Sequence, residues 1–123
     1  MSKNIIITGT SSGIGFELVN IFSKKNHRVL ALSRDNSKLR ELKLDGVDAI
    51  DFDLNHNDYG KINEFLKKAE KIDILINNAG YLVNKPFKKL HLRIFKWYIP
   101  QMFSQLQCLS KIQSILWNQV PMF

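Results

Sequence analysis

Apolar residues gather in four short runs along the chain. The runs cover residues 4–8, 28–32, 47–52 and 72–76, and the first of them contains three consecutive isoleucines. Short apolar runs that are rich in β-branched residues and bounded by polar or glycine-containing segments are typical of buried strands. The pattern therefore predicts four β-strands.

Three longer segments between these runs carry apolar residues at helical spacing. They cover residues 13–25, 36–43 and 58–70. Residues that recur every three or four positions lie on one face of a helix, and this face is expected to pack against the sheet. The residues that form the predicted apolar faces are Ile14, Leu18, Ile21, Phe22, Leu39, Leu42, Ile62, Phe65 and Leu66.

Strands that alternate with single helices indicate an α/β fold with a parallel sheet, because each helix returns the chain to the same end of the sheet. We predict an incomplete, doubly wound sheet of about four strands with an irregular or helical C-terminal tail. Ligands of such sheets bind beyond the carboxyl ends of the strands. The segments 8–15, 33–34, 53–54 and 77–80 directly follow the predicted strands, so they are expected to meet along one edge.

The first of these segments reads TGTSSGIG and opens the first predicted helix. Gly9 allows a tight turn, Gly13 lets a ligand approach the backbone, and Gly15 lets the helix pack closely on the strand. Backbone N–H groups and the helix dipole favour a pyrophosphate at this end. Taken alone, the glycines also fit an ordinary turn with a serine cap. Their position between a strand and a helix favours phosphate binding.

The fourth segment reads NNAG, and the pair TGxxxGxG and NNAG resembles the signatures of the short-chain dehydrogenase/reductase family over about residues 1–87. The resemblance implies a Rossmann-like fold and a nicotinamide dinucleotide cofactor. In full-length members it also implies a small carbonyl or alcohol substrate and, usually, a homo-oligomer. The resemblance assigns the phosphates and ribose of the cofactor to Gly9, Ser11, Ser12, Gly13, Ile14 and Gly15. It assigns the adenine to Asp53 and Leu54, and it places Asn77, Ala79 and Gly80 along the cofactor.

The residues after the second strand, Ser33 and Arg34, bear on the choice of cofactor. An acidic side chain there accepts hydrogen bonds from the ribose of NAD, whereas a basic one pairs with the 2′-phosphate of NADP. Arg34 therefore favours NADP over NAD, although a solvated arginine without a role is the alternative. Asp35 is expected to stabilise the start of the next helix instead.

The formal net charge of +7 raises the question of a nucleic-acid partner. Residues 1–80 contain twelve Lys or Arg and eleven Asp or Glu, whereas residues 81–123 contain six basic residues and no acidic one. Aromatic residues beside these lysines, such as Trp97, could form a stacking platform for single-stranded nucleic acid. We favour the remnant of an amphipathic helix and expect no nucleic-acid partner.

Other features indicate a soluble, cytoplasmic protein. No apolar run approaches the roughly 18 residues of a membrane-spanning helix, and the N-terminus lacks the features of a secretory signal. Cys108 is the single cysteine and cannot form an intramolecular disulfide, which fits a reducing compartment. His27, His56 and His91 do not have the spacing of metal ligands, so we predict no metal site and no membrane partner.

The catalytic part of the family pattern is missing from the rest of the chain. By resemblance, the family continues with a long helix that contains an Asn, a strand with a catalytic Ser, and a Tyr-x-x-x-Lys segment whose Tyr acts as acid or base. No Tyr follows Tyr98 and no Lys follows Lys111. We therefore predict no catalytic residues, an incomplete dinucleotide-binding domain over residues 1–97 and an aberrant tail over residues 98–123. The chain is then an inactive part of an NADP-dependent oxidoreductase or, alternatively, a non-catalytic nucleotide-binding or assembly fragment.

The change of character after Trp97 fits a frameshift by one base. Restoring one G after the Trp97 codon, with permitted codon choices, turns the tail into a sequence that resembles the family's long helix with its Asn. Most of these codons are free choices, but the codons of Met102 and Phe103 force a Val and those of Trp117 and Asn118 force a Glu. We expect the adjacent reading frame to encode the Ser and the Tyr-x-x-x-Lys segment.

Overall fold

A computed structural model describes residues 2–53 and 59–80, together with Ser110 and Ser114. Its strands and helices alternate in the predicted order, and their ends lie within two residues of the predicted ones. The elements are β1 (Asn4–Thr8), α1 (Gly13–Lys24), β2 (Arg28–Ser33), α2 (Ser37–Leu42), β3 (Val47–Asp51), α3 (Gly60–Lys68) and β4 (Ile74–Ile76). The α/β prediction is confirmed.

The four strands form one parallel sheet in the order β3-β2-β1-β4. Ile5 of β1 lies opposite Val29 of β2 on one side and opposite Ile74 of β4 on the other. The chain moves outward from β1 to β3 and then crosses to the far side of β1, so the strand order reverses between β1 and β4. Ligands bind beyond the carboxyl ends of the strands at such a reversal.

Apolar clusters cover both faces of the sheet, which confirms the doubly wound architecture. Ile6 belongs to a cluster with Phe65 of α3, whereas Ile7 belongs to a cluster with Val19 of α1 and Leu39 of α2. Neighbouring residues of a strand point to opposite faces, so β1 contributes to both clusters. Full burial of each such side chain favours folding by roughly 1.5–3 kcal/mol.

The predicted apolar face of α1 is wrong in part. Ile14 is 72% exposed and Ile21 is 46% exposed, and the buried residues of the helix are Gly15, Val19 and Ser23. These three are four positions apart, so they form one stripe. The stripe faces the protein because α1 packs so closely at Gly15 that no side chain fits there, and this contact determines the rotation of the whole helix.

The predicted faces of the other two helices are largely confirmed. Leu39 is buried in α2, and Ile62, Phe65 and Leu66 are buried in α3. Leu42 is the exception, since it is 49% exposed. It is the last residue of α2, and the left-handed backbone of the next residue turns the chain away before Leu42 reaches the sheet.

Two predictions fall on residues that the structure does not describe. Leu54 lies outside the described residues, as does the tail over residues 98–123 apart from Ser110 and Ser114. Within residues 2–53 and 59–80, no helix has the length and apolar character needed to cross a membrane.

Candidate functional site

The loops after β1 and β4 are joined by the Thr8 side chain. Its hydroxyl oxygen accepts hydrogen bonds from the backbone N–H groups of Asn78 (3.1 Å) and Ala79 (3.0 Å), and the hydroxyl donates to Oδ1 of Asn77 (3.2 Å). The Asn78 side chain donates in return to the carbonyl oxygen of Gly9 (3.1 Å). Two of the predicted segments therefore meet at the carboxyl ends of neighbouring strands, where the strand order reverses.

Two glycines allow these loops to approach each other. Gly9 has a φ of +72°, and a Cβ atom on it would lie 2.8 Å from the Cα atom of Ala79. A Cβ atom on Gly15 would overlap the carbonyl oxygen of Gly9 and would lie 2.7 Å from Nδ2 of Asn78. The close contact of Gly15 is thus with the turn itself, rather than with the strand as we predicted.

The N-terminus of α1 is open towards the solvent. Gly13 has a φ of +61°, and a Cβ atom on it would meet no atom of residues 2–53 and 59–80 within 4 Å. Ser12 precedes the helix in an extended conformation, and its side chain does not cap the helix. The first turn contains no acidic residue, and Ile14 is exposed beside it. The positive end of the helix dipole and its N–H groups are thus available to an anion.

Two arginines near the carboxyl ends of β2 and β3 are in different situations. Arg40 of α2 forms a bidentate ion pair with Asp51, with N–O distances of 2.7 and 3.0 Å. Arg34 directly follows β2, is exposed, and forms no hydrogen bond or ion pair within residues 2–53 and 59–80.

Asp35 accepts a hydrogen bond from the Ser37 N–H (2.9 Å), as expected for the start of α2. This bond lowers the pKa of Asp35, so the carboxylate stays ionised and is engaged with the helix.

Asn36 is a buried residue whose importance the sequence analysis missed. Its Oδ1 atom accepts hydrogen bonds from the hydroxyls of Thr10 (2.7 Å) and Ser33 (2.8 Å). Its Nδ2 atom donates to the carbonyl oxygens of Ala31 (3.0 Å) and Ile50 (2.7 Å). The local signal was an asparagine at the start of the predicted helix over residues 36–43, and asparagine is a common capping residue there. Its burial depends in part on contacts with Thr10 and Ile50, which are 26 and 14 positions away in the sequence.

For the remaining predicted site residues, Asp53, Leu54 and Gly80, the structure describes fewer contacts or no position. Asp53 is half-buried and lies two positions after β3, whereas Leu54 is outside the described part of the chain. Gly80 is exposed, and a Cβ atom on it would make only an ordinary contact, 3.9 Å from the Asn78 carbonyl oxygen. The structure therefore brings the glycine turn, the start of the loop after β4 and the Arg34 segment to one edge.

Comparison with known proteins agrees with this arrangement. A family model described as short chain dehydrogenase matches residues 3–109. A 3-dehydrosphinganine reductase of Arabidopsis thaliana is 34% identical over 93 residues, which are 72% of this chain and 28% of that protein. A probable NADP-dependent dehydrogenase of Dichelobacter nodosus is 34% identical over 83 residues, which are 62% of this chain and 76% of that protein.

A solved structure gives the same result for the fold. A short-chain dehydrogenase of Leptospira borgpetersenii with bound NAD+ matches with a TM-score of 0.77 and 27% identity, over 97% of this chain and 47% of that one. The chain spans only 27–30% of the length of several curated relatives. With the family model matching most of the chain, and with the glycine turn packed against the loop after β4, this protein belongs to the short-chain dehydrogenase family.

Proposed function

We propose that the chain binds NADP(H) and forms the coenzyme-binding part of an oxidoreductase that transfers hydride between the coenzyme and a carbonyl or alcohol substrate. The observation that carries this proposal is the exposed Arg34, without an ion-pair partner in the described part of the chain, on the same edge as the uncapped N-terminus of α1. A cation and a set of free N–H groups suit the two separate phosphate groups of NADP.

The pyrophosphate is assigned to the turn between β1 and α1. The open space above Gly13 allows a phosphate to reach the backbone, and the helix dipole favours its negative charge. Ser11, Ser12 and Ile14 are at least partly exposed around this point, so their side chains can contact a ligand. The donor set fits a pyrophosphate because it offers N–H groups and no acidic side chain.

The 2′-phosphate is assigned to Arg34. Asp35 would be the acidic competitor for a ribose hydroxyl, but its carboxylate accepts a hydrogen bond from the N–H of Ser37. Relatives use either coenzyme, since the Dichelobacter protein is described as NADP-dependent and the Leptospira protein holds NAD+. The preference of this chain for NADP therefore rests on its own Arg34.

The other assignments follow the path of an extended dinucleotide along the sheet edge. Asp53 and Leu54 would hold the adenine, and Asn77, Ala79 and Gly80 would lie along the cofactor. Asn77 accepts a hydrogen bond from Thr8, so its position is coupled to the end of β1. A cytoplasmic location is also proposed, supported by the single cysteine, Cys108.

We expect residues 1–123 on their own to bind coenzyme without turning over a substrate. No Tyr follows Tyr98, so the sequence offers no Tyr-x-x-x-Lys segment beyond the site where the family's long helix belongs. Tyr81 and Lys85 have the same spacing, but they directly follow Gly80 and precede that helix, so they do not occupy the family's catalytic position. Bound coenzyme would lack its acid–base partner.

The test measures binding of NADPH and of NADH to the full 123-residue chain through the fluorescence of each coenzyme. We expect tighter binding of NADPH, and an affinity for NADPH about 10- to 100-fold lower in Arg34→Ala, because a hydrogen-bonded charge contributes roughly 1.5–3 kcal/mol. NADH affinity should change little. Lys24→Ala is the matched control, since it also removes one positive charge. Lys24 is the last residue of α1 and lies roughly 16 Å along the helix from the N-terminus where the pyrophosphate is proposed to bind. Equal loss of NADPH and NADH binding in Arg34→Ala would contradict the assignment.

A further inference from the structure

Asn36 connects three segments of the sheet edge through its side chain. It is fully buried, with 0% exposure, and its amide uses two donor and two acceptor positions. Its four partners belong to the glycine turn, to β2 and to β3. A buried amide whose hydrogen bonds are all satisfied holds its surroundings in one arrangement, because any displacement would leave a buried polar group without a partner.

The bond between Thr10 and Asn36 joins the two segments that the proposed function assigns to different phosphates. Thr10 lies within the glycine turn, three residues before Gly13, and Asn36 lies two residues after Arg34. The two residues are 26 positions apart, and their side-chain oxygens are 2.7 Å apart. Ser33 is bonded to the same Asn36 oxygen, so the backbone on both sides of Arg34 is held while the Arg34 side chain stays exposed.

We propose that the Thr10–Asn36 hydrogen bond positions Arg34 relative to the N-terminus of α1 and thereby determines how strongly the site prefers nucleotides with a 2′-phosphate. This inference rests on the proposed function. Thr10 and Asn36 both have 0% exposure, so neither side chain can touch a bound nucleotide. Both are therefore positioning residues that act through Arg34.

The geometry explains why the effect is selective. A nucleotide with a 2′-phosphate contacts both segments at once, so the distance between the segments must match the ligand. A nucleotide without this phosphate makes no phosphate contact with Arg34, so its binding depends much less on that distance. The backbone bond from Gly9 N–H to the Leu32 carbonyl oxygen (2.8 Å) also joins the two segments, but it lies before Arg34 and cannot hold the residues that follow β2.

The test compares 2′,5′-ADP with 5′-AMP, which differ only in the 2′-phosphate, by calorimetry on the full chain. In Thr10→Val, the preference for 2′,5′-ADP should fall about three- to tenfold, as expected for the loss of one hydrogen bond. The oxygen of Asn36 keeps Ser33 as a donor, so this variant is expected to fold. Thr10→Ser should keep the wild-type preference, and Thr10→Ala is a second variant without the hydroxyl, with the same expected loss.

Ser23→Ala is the matched control. It removes another buried hydroxyl, which donates to the Asp45 carbonyl oxygen (2.8 Å) near the opposite end of α1, and it should leave the preference unchanged. Thr10→Val should also have no effect on the preference when Arg34 is already Ala, because the positioned group is then absent.

The outcomes separate this inference from the proposed function. If the wild-type chain binds neither nucleotide, the proposed function is wrong and the inference falls with it. If the wild type prefers 2′,5′-ADP but Thr10→Val and Thr10→Ala keep that preference, only the inference is wrong. It is also wrong if Thr10→Val changes the preference in the Arg34→Ala background, because the effect would then not pass through Arg34.

Discussion

The Thr8 hydroxyl oxygen accepts the backbone N–H of Ala79 at 3.0 Å, although the two residues are 71 positions apart in the chain. Thr8 is the last residue of β1, and Ala79 lies in the loop after β4. Because the same oxygen also accepts the N–H of Asn78, one side chain satisfies two backbone donors of that loop. The loop is thus attached to the central strand at the edge where the coenzyme is proposed to bind.

Replacement of Thr8 by valine should destabilise the fold. Valine keeps the shape of the side chain, but it leaves the N–H groups of Asn78 and Ala79 without their acceptor. Thr8 is only 2% exposed, so little water reaches this position to replace the lost acceptor. We expect a loss of about 1–3 kcal/mol in the free energy of unfolding, measured by urea denaturation. Ser12→Ala serves as the control and should stay within about 0.5 kcal/mol, since Ser12 is exposed and caps nothing. Equal stability of the two variants would contradict the role of Thr8.

Alanine at Gly15 and alanine at Gly13 should have different costs. The new methyl group at Gly15 would overlap the Gly9 carbonyl oxygen, so the turn or the helix must move, at a cost of about 3 kcal/mol. At Gly13 there is open space, and the cost of about 1 kcal/mol comes only from the positive φ. Urea denaturation of the two variants checks the order. A Gly15→Ala variant as stable as Gly13→Ala would show that the close approach of α1 to the turn is not required.

Acid should weaken the fold in part through Asp51. The hydrogen bond from Arg40, and then the one from the Asn36 N–H, hold the pKa of Asp51 below its usual value of 3.8. A carboxyl group whose pKa falls on folding stabilises the fold above its unfolded pKa, and this contribution is lost as the pH drops through the folded value. Asp51→Asn should therefore lose less stability than the wild type between about pH 5 and pH 2.

Asp48→Asn is the control for this pH dependence, because Asp48 is an exposed aspartate on the same strand. The urea midpoint at each pH is measured for this variant beside the Asp51→Asn variant and the wild type. The ion pair of Asp51 is exposed to solvent, and high salt should therefore reduce the difference between the Asp51→Asn variant and the wild type. Parallel profiles for Asp51→Asn and the wild type would contradict the role assigned to the ion pair.

Much of the site could be located from the sequence because its parts directly follow strands. The glycine turn, Arg34 and the segment beginning at Asn77 each occupy such a position, and a parallel sheet brings its carboxyl ends to one edge. The roles assigned to these residues in coenzyme binding stay predictions. What the sequence pattern could not predict was which loops touch, since neither the strand order nor the hydrogen bonds of Thr8 are encoded in local spacing.

The amino-acid sequence by itself determined the alternation of strands and helices, the parallel sheet and the family, because periodicity and short motifs are local properties of the chain. Only the tertiary structure decided that α1 buries Gly15 and Val19 and leaves Ile14 exposed, and that Asn36 is the buried link between the glycine turn and the end of β2. The physical reason is the same in both cases. The buried face of a helix depends on steric contacts, and the burial of a polar side chain depends on its hydrogen-bond partners. In both cases, the parts of the chain that make these contacts meet only after folding.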